Sequence, residues 1–420
     1  MKFAIAVHGT RGDVEPCAAV GLELVRRGHQ VGFAAPPNLT DFVESAGLPA
    51  LPYGVDSQEQ LDANVFRQYW KIRNPATILR ELREYITQGW AEMSTTLTGL
   101  AEDADLILTG TTYQEVAANV AEHYDSPLAA LHYFPARANS QVLPIPLPPK
   151  IVRSGWAVAE WVHWRALKEA EDAQRRELGL PKAKVRAVRR IVEGGALEIQ
   201  AYDPLFFPGL AEEWSGRRPL IGSMTLGLST DNDDEVSSWI AAGTPPIYFG
   251  FGSMPVESPA AAVQMIIDVC GRLGERALIS SGVWDLSDVD LTGAEHVKIV
   301  RTVNHAAVFP RCRAIVHHGG AGTTAASVRS GVPTLVIWVG ADQPFWGKQV
   351  QRLEIGGCLR FSRLTSEALL AELRNVLSPR CAEHARAVSA QLTDPAQSVA
   401  TAADLLEDAV RNSTARSVIR

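Results

Sequence analysis

Cysteine is scarce in this chain of 420 residues, and it occurs without a recognisable pattern. The cysteines are five, an odd number, without any CxxC pair, and they stand at positions 17, 270, 312, 358 and 381. A disulfide framework needs paired cysteines and a structural zinc site needs clustered ones, so neither is expected. This usage indicates a reducing compartment such as the cytoplasm.

The chain also lacks a basic excess and any long apolar run. Lys and Arg number 40 against 47 Asp and Glu, a net charge of −7, which argues against nucleic-acid binding because such proteins usually carry a clustered basic face. No stretch approaches the roughly 18 apolar residues of a membrane span. The first apolar run, residues 3–7, is too short for a signal peptide. We expect a cytoplasmic protein, with peripheral contact at the inner face of the plasma membrane left open.

The length predicts two domains, because a single core rarely organises 420 residues. Strands alternate with helices in both halves, which is typical of open, mostly parallel α/β sheets. We predict an N-terminal domain over residues 1–212, a Pro- and Gly-rich linker with an acidic cluster over 213–236, and a C-terminal domain over 237–394. The final segment, 395–420, is predicted to be an amphipathic helix that packs back on the N-terminal domain.

Three stretches depart from the strand–helix rhythm. Residues 57–100 and 135–174 are predicted to be helical and rich in aromatic side chains, which either form walls for a substrate or pack the helices on the sheet. Residues 181–190 form a basic run that either faces anionic lipid or the acceptor, or is a solvated surface. At the N-terminus we predict a loop over 8–16 and a helix over 17–27.

A glycine-rich turn occupies residues 317–324 (His-His-Gly-Gly-Ala-Gly-Thr-Thr). It follows an apolar strand and precedes a run of small residues, the order strand, turn, helix. Glycines allow a ligand to approach the backbone, and the N–H groups of a helix start can hold a phosphate. The same sequence is also compatible with an ordinary tight turn in which a threonine caps the helix.

The familiar nucleotide motifs are absent. The first loop has no GxGxxG, the strand over residues 31–35 does not end in an acidic residue, and no GxxxxGK[ST] occurs, so neither a dinucleotide site nor a P-loop is expected. Strand ends of the second half instead offer Gly252-Ser253, the 317–324 turn and Asp342-Gln343. Hydroxyls, backbone N–H groups and the imidazole of His317 suit a phosphate, and an Asp-Gln pair suits vicinal sugar hydroxyls. Together they indicate a nucleotide-sugar site.

The 317–324 turn, its continuation through Gly-Val-Pro at 331–333 and residues 342–347 (Asp-Gln-Pro-Phe-Trp-Gly) resemble the donor signature of GT-B glycosyltransferases. The first loop, residues 9–16 (Gly-Thr-Arg-Gly-Asp-Val-Glu-Pro), resembles the branch that contains vancomycin-type and sterol glycosyltransferases. With residues 198–202 and 304–305, the chain most resembles mycobacterial glycopeptidolipid glycosyltransferases. This resemblance implies two Rossmann-like domains facing each other across a cleft.

The resemblance also implies a role for each matching position, with a dTDP- or UDP-sugar as the donor. His317 with the backbone of the turn would bind the diphosphate, Ser253 and Thr10 would add contacts, Asp342 and Gln343 would hold sugar hydroxyls, and Val303 and Trp284 would meet the base. The expected donor-binding set is Thr10, Arg11, Gly12, Ser253, Trp284, Val303, His317, Gly319, Gly320, Gly322, Thr323, Asp342 and Gln343. No role is expected for His318.

Asp13 is the residue expected to act as the general base. An acceptor hydroxyl must lose its proton as it attacks the anomeric carbon, and a positioned carboxylate can accept that proton. The alternative is that Asp13 only caps the helix that follows it. His8, at a strand end, is the second candidate for the base.

The resemblance implies an inverting hexosyltransferase that needs neither metal nor cofactor, the nucleotide-sugar being its substrate. The acceptor is expected to be a hydroxyl of a lipopeptide of the glycopeptidolipid type or of another amphiphilic lipid. A sterol or polyketide aglycone is the alternative acceptor. A nucleotide-sugar epimerase, a phosphorylase and a non-catalytic helper protein are alternatives from other classes.

Overall fold

The structure is a computed structural model that describes residues 1–62, 75–140, 142, 148–228, 230, 232–252, 254, 256 and 258–419. The chain forms two compact units, the first made of Met1–Leu226 with Thr393–Arg420 and the second of Gly227–Leu392. The division lies inside the stretch 213–236 that the sequence marks as a linker. The aromatic residues Phe66, Tyr69 and Trp70 of the predicted helical stretch lie outside the described residues.

The first unit contains a parallel sheet of six strands in the order β3-β2-β1-β4-β5-β6. Its strands are β1 (Lys2–Ala6), β2 (Gln30–Ala35), β3 (Ala50–Pro52), β4 (Leu106–Thr109), β5 (Leu128–His132) and β6 (Leu197–Gln200). The central strands β1 and β4 are almost wholly buried, as expected of parallel strands covered by helices on both faces. This is the doubly wound order, in which ligands bind beyond the carboxyl ends of the strands.

Helices of the first unit cover both faces of this sheet. They are α1 (Arg11–Arg26), α2 (Thr40–Ser45), α3 (Ser57–Asp62), α4 (Pro75–Thr87), α5 (Trp90–Ala101), α6 (Gln114–Tyr124), α7 (Pro149–Glu177), α8 (Ala187–Glu193), α9 (Leu210–Glu213) and, from the end of the chain, α17 (Pro395–Ile419). Helix α17 contacts α1, and Arg27 at the end of α1 donates hydrogen bonds to Asp404 and Glu407 of α17. The end of the chain therefore belongs to the first unit.

The first helix begins six residues earlier than the sequence predicts, at Arg11 instead of Cys17. The prediction places Pro16 at the end of the loop, and proline is unfavourable in a helix interior because it lacks the N–H used there. In the structure the helix runs through Pro16, which is buried, and gives up the bond that a residue there would donate to the carbonyl of Gly12. Residues 11–16, predicted as loop, are thus the first turns of α1.

The second unit contains another parallel sheet of six strands, in the order β12-β11-β10-β7-β8-β9. Its strands are β7 (Ile247–Gly250), β8 (Ala277–Ser280), β9 (Val297–Val300), β10 (Ala314–His317), β11 (Thr334–Trp338) and β12 (Gly356–Arg360). Its helices are α10 (Asp233–Ala241), α11 (Pro259–Leu273), α12 (His305–Val308), α13 (Ala321–Arg329), α14 (Gln343–Arg352), α15 (Ser366–Val376) and α16 (Pro379–Ser389). Strand order, parallel pairing and helix cover give two Rossmann-like units, and the predicted fold class is confirmed.

The two edge strands β6 and β12 were not predicted from the sequence. Strand β12 opens with Gly356, where an added Cβ would lie 1.6 Å from the carbonyl oxygen of Thr334 in β11. Glycine is therefore needed at this position for the backbones of β11 and β12 to approach each other. Because glycine is depleted in strands, the sequence pattern did not predict β12. Strand β6 carries the buried polar residues Glu198 and Gln200, which break its apolar pattern.

Candidate active site

The residues that the sequence assigns to the donor converge on one edge of the second sheet. In the pairing register Gly250 of β7 lies between His317 of β10 and Ser280 of β8, and His317 also pairs with Val336 of β11. These positions are at or next to the carboxyl ends of their strands. The loops that follow these strands, which begin at residues 251, 281, 318 and 339, therefore start side by side along this edge.

His317 ends β10 with its imidazole completely buried. Its Nδ1 accepts a hydrogen bond of 2.9 Å from the backbone N–H of Gly319. Burial lowers the pKa of His317 well below its ordinary value, so the ring is neutral and its proton sits on Nε2. That N–H has no hydrogen-bond partner among the described residues. A buried donor of this kind needs an acceptor, and a ligand oxygen can supply it.

Helix α13 begins at Ala321, directly after the glycine turn, with Gly320 in the N-cap position. Gly319 has a φ of +95°, and an added Cβ would lie 2.6 Å from Cγ1 of Val336, so this position requires glycine. Gly322 is exposed with open space around it, and Thr323 beside it is partly exposed. The N–H groups at the start of a helix have no intrahelical acceptor, which makes this turn a place for an anion.

His318 is partly buried and packs against the neighbouring turns. An added Cβ at Gly252 would lie 3.1 Å from its Cε1, and one at Gly320 would lie 2.6 Å from its Nε2. Burial lowers the pKa of His318 to about 4, although a hydrogen bond to the backbone of Gly250 acts to raise it. His318 therefore lies against the turn and supports it from beneath.

The Asp342-Gln343 pair divides into two different environments. The side-chain oxygen of Gln343 accepts hydrogen bonds from the N–H groups of Val339 and Gly340 at 2.8 and 3.2 Å, while its amide nitrogen donates to the sulfur of Met254. Gln343 is buried, so it holds the loop after β11 against the loop after β7. The predicted contact of its side chain with a sugar therefore competes with bonds inside the protein.

Asp342 is the N-cap residue of α14 and remains partly exposed. One of its oxygens, Oδ2, accepts a hydrogen bond of 2.8 Å from the indole N–H of Trp346 one turn further along. Burial raises the pKa of this carboxyl group, although the bond from Trp346 opposes the change. The indole fixes the direction of the carboxylate, as a group that recognises hydroxyls requires.

The residues expected to meet the base lie at the other end of the same edge. Trp284 is only 8% exposed, stacks on Phe251 with ring centroids 4.8 Å apart, and donates its indole N–H to the carbonyl of Met254. Val303 is 9% exposed and belongs to a different cluster of the core. One face of the Trp284 ring is therefore already covered by Phe251. Ser253 lies outside the described residues.

In the first unit, Asp13 is the third residue of α1 and its carboxylate turns back to Thr10. The backbone N–H and the hydroxyl of Thr10 both donate to Oδ2 of Asp13, at 2.8 and 3.1 Å. Gly9 has a φ of +144°, and an added Cβ would lie 2.4 Å from the same oxygen. Asp13 therefore takes part in capping α1. The same hydrogen bonds fix the direction of its carboxylate, which is partly exposed.

The other residues of this motif are engaged within the first unit. Arg11 is exposed, pairs with Glu15 at 3.0 Å, and lies with its guanidinium carbon 4.5 Å from the ring centre of Phe42. Gly12 is exposed at the second position of α1. Glu15 is largely buried and accepts hydrogen bonds from the hydroxyl of Thr225 and the N–H of Leu226. Arg11 and Gly12 were predicted to bind the donor, and their surroundings leave that prediction open.

His8, the second candidate for the base, is buried next to a tyrosine that the sequence did not single out. Its Nε2 donates to the carbonyl of Val55 at 3.0 Å, and burial lowers its pKa, so the ring is neutral. Tyr113 meets the ring edge-on, with centroids 5.1 Å apart, and adopts a φ of +54° that is unfavourable for a bulky residue. Its hydroxyl accepts a hydrogen bond from Gln60. Only the backbone angle reveals this residue, so no sequence pattern could have found it.

Comparison with known proteins agrees with this architecture. Residues 3–122 match the model of the glycosyltransferase family 28 N-terminal domain, and residues 282–411 match that of the erythromycin biosynthesis protein CIII-like C-terminal domain. An uncharacterized glycosyltransferase of Mycobacterium tuberculosis is 58% identical over 413 residues, covering 98% of this chain and 99% of the relative. This chain belongs to the same glycosyltransferase family.

More distant proteins share the fold of this glycosyltransferase. A sterol 3-beta-glucosyltransferase of Arabidopsis thaliana is 28% identical over 374 residues, which cover 85% of this chain and 57% of that protein. The solved glycosyltransferase of kitacinnamycin superposes with a TM-score of 0.73 at 20% identity, covering 97% of this chain and 99% of the other. The glycosyltransferase VinC, solved in complex with dTDP, has a TM-score of 0.64 at 16% identity, with 99% and 100% coverage. The enzyme class predicted from the sequence is confirmed.

Proposed function

We propose that this glycosyltransferase moves a hexose or deoxyhexose from a dTDP- or UDP-sugar to a hydroxyl group of an amphiphilic lipopeptide of the glycopeptidolipid type, with inversion at the anomeric carbon. The donor belongs to the second unit and proton removal to the first. The observation that carries the proposal is the buried N–H on Nε2 of His317, which has no partner among the described residues and lies four residues before the open start of α13 at Ala321.

The second unit provides the charge stabilisation that the leaving group needs. As the bond between the anomeric carbon and the phosphate oxygen breaks, negative charge develops on the diphosphate. The N–H groups that start α13 and the Nε2–H of His317 are fixed before the reaction, so they stabilise this charge without a cost of reorganisation. In this proposal these donors replace a metal ion, and no cofactor takes part.

The first unit provides the base. The acceptor oxygen attacks the anomeric carbon from the side opposite to the diphosphate, and its proton passes to the carboxylate of Asp13. A single displacement of this kind inverts the anomeric centre. The two hydrogen bonds from Thr10 hold one carboxylate oxygen in place and so orient the other.

The choice of nucleotide and acceptor rests on similarity. VinC was solved with dTDP, which supports a dTDP-sugar. The lipopeptide acceptor rests on the resemblance of residues 9–16, 198–202 and 304–305 to glycopeptidolipid glycosyltransferases. The match to a plant sterol 3-beta-glucosyltransferase supports the alternative of a sterol acceptor, at the much lower identity of 28%. A panel of donors and acceptors therefore has to include both.

The test combines purified protein with dTDP- and UDP-sugars and with a deglycosylated lipopeptide or a sterol, and detects products by mass spectrometry. We expect a glycosylated lipopeptide with inverted anomeric configuration. His317→Ala should weaken binding of the free nucleoside diphosphate by about ten-fold or more, because a hydrogen bond to a charged group contributes about 1.5–3 kcal/mol. A folded protein that glycosylates no acceptor with any donor would refute the proposal.

A further inference from the structure

Helix α7 carries an exposed apolar face on the first unit. Four of its large apolar side chains are among the most exposed of the described residues, namely Ile151 at 54%, Val158 at 62%, Trp161 at 54% and Val162 at 38%. Positions 151, 158 and 162 fall within about 40° of one another around the helix axis, at 3.6 residues per turn. We call these four residues the outer face of α7.

The opposite side of α7 explains why the helix presents this face outward. Val152 and Leu167 are buried, and His163 is held by Glu115 of α6 at 3.2 Å. Further along, Gln174 is buried and accepts the indole N–H of Trp90 from α5. The helix is thus anchored by its inner side, and its outer face is not required for packing. Exposed apolar residues gathered on one helix face mark an interaction surface.

Basic residues surround the outer face. Within α7, Lys150 and Arg165 are exposed and have no ion-pair partner among the residues that the structure describes. The basic run 181–190 lies beside α7, because Arg186 pairs with Glu160 of α7 at 3.2 Å. Of that run, Arg189 and Arg190 pair with carboxylates of the protein, whereas Lys182 and Lys184 are exposed and, in the described structure, without such a partner.

A shallow groove joins the two features. It is lined on one side by Val158, Trp161 and Trp164 of α7 and on the other by Lys184 and Arg189. Four exposed cations to which the described residues offer no ion-pair partner lie around an apolar face, in contrast with the net charge of −7 of the chain as a whole. An amphipathic helix with tryptophan on the apolar side and Lys or Arg beside it is suited to lie in the interface of an anionic bilayer.

We propose that the outer face of α7, with Lys150, Arg165, Lys182 and Lys184, docks this glycosyltransferase on an anionic lipid surface. The apolar side chains enter the boundary between headgroups and acyl chains, and the four cations contact the lipid headgroups. The docking deepens the proposed function, because an amphiphilic acceptor resides in a bilayer, but lipid binding itself does not depend on transfer.

The first experiment measures co-sedimentation of the full chain with vesicles of phosphatidylcholine, with and without phosphatidylglycerol. We expect binding to the vesicles that contain phosphatidylglycerol, weaker binding to phosphatidylcholine alone, and a decrease with added salt because the charges are exposed. Equal binding to both vesicles, or to neither, would overturn the proposal. Self-association through this face, seen by analytical ultracentrifugation and abolished by the same substitutions, would also overturn it.

The second experiment separates the apolar and the charged contributions. Val158→Ser with Trp161→Ser should lower vesicle partitioning at least about ten-fold, since both apolar side chains leave the bilayer interface. Its control is Leu291→Ser, a side chain 50% exposed on the second unit, which should change nothing. Unchanged partitioning of the double variant would refute the docking face. Trp161→Phe keeps the apolar surface and should retain binding, so it distinguishes lost contact from altered folding.

The charged contribution is tested with Lys182→Ala and Lys184→Ala together. Each lysine near an anionic surface contributes about five-fold in affinity, so the pair should lower partitioning by more than about ten-fold. Arg272→Ala with Arg374→Ala removes the same charge from exposed positions of the second unit and is the matched control. An equal loss in both pairs would show that only the net charge matters, which contradicts a defined docking face.

Transfer is measured in parallel with a short, water-soluble acceptor. Docking variants that lose vesicle binding should keep their rate on that acceptor and lose rate only on acceptor embedded in vesicles. Vesicle binding without any transfer would refute the proposed function and leave the docking face standing. Transfer without vesicle binding would refute the docking face and leave the proposed function standing.

Discussion

Thr10 and Asp13 form a closed pair at the start of α1, in which the N–H and the hydroxyl of Thr10 both donate to one carboxylate oxygen. The pair shows how one residue could serve two purposes. As part of the helix cap Asp13 stabilises the fold, and the same bonds hold its carboxylate in the fixed direction that the proposed proton transfer needs. The two interpretations that the sequence leaves open are therefore compatible, and they separate only in experiments that measure stability and rate together.

Asp13→Asn should remove the base and keep the cap. Asparagine also accepts hydrogen bonds at a helix N-terminus, so the melting temperature should change little, whereas the transfer rate should fall by about 10²–10⁴-fold. Binding of the nucleoside diphosphate, measured by calorimetry, should be retained. Asp13→Ala should in addition cost about 1 kcal/mol of stability. A normal rate in Asp13→Asn would exclude Asp13 as the base.

Gly9→Ala should impair transfer by displacing the carboxylate of Asp13. The added Cβ would lie 2.4 Å from its Oδ2 at a backbone φ of +144°. Gly28→Ala is the matched control, because Gly28 also has a positive φ, +86°, but nothing lies within 4 Å of the added Cβ. Both variants should lose stability through backbone strain, of order 1 kcal/mol. Only Gly9→Ala should lose a large part of the transfer rate, and equal rates in the two would contradict this role.

Asp342→Asn and Gln343→Ala should act differently although the residues are adjacent. Gln343 holds the N–H groups of Val339 and Gly340, so Gln343→Ala should lower the free energy of unfolding by about 1–3 kcal/mol as well as the affinity for the donor. Asp342→Asn retains an acceptor for Trp346 and should leave stability nearly unchanged. Its effect should appear as a raised KM for the nucleotide-sugar with unchanged affinity for the bare nucleoside diphosphate. Weaker binding of the diphosphate in Asp342→Asn would argue against a sugar contact.

Acidification should destabilise the protein through imidazoles that are buried or partly buried. Burial lowers the pKa of His8, His132, His317 and His318, that of His318 from 6.5 to about 4. Between those two values the unfolded chain binds the proton and the folded chain does not, so stability falls as the pH falls from about 6.5 towards 4. Removing His318 should reduce the slope by about 1.4 kcal/mol per pH unit.

The measurement is urea unfolding of wild type and His318→Gln between pH 7 and pH 5, a range that covers the upper part of this interval. His384→Gln, at an imidazole with 39% of its side chain exposed, is the matched control. If the unfolding free energy of His318→Gln depends on pH as steeply as that of the wild type, the imidazole of His318 is protonated in the folded state as well.

Much of the architecture is determined by local sequence. Apolar runs without alternation predict buried parallel strands, and the glycine turn at 317–324 predicts a backbone that only glycine allows, as the φ of +95° at Gly319 shows. Residues at strand ends share one edge of a parallel sheet, so the sequence also predicts that His317 and Asp342 belong to one region. These features depend on neighbours a few residues apart and on the direction of the strands.

Other features depend on partners far along the chain, and only the tertiary structure decided them. Helix α1 continues through Pro16, and Gly356 permits the close approach of Thr334. The side chain of Gln343 forms hydrogen bonds with the backbone of its own loop and with Met254. The sequence of the outer face of α7 does not differ from that of a helix face packed in a core. Whether such a face is buried depends on what the rest of the chain places against it. The sequence by itself determined the two sheets and the sheet edge at which the proposed donor site lies. Long-range packing decided which side chains remain available to a ligand or to a lipid surface.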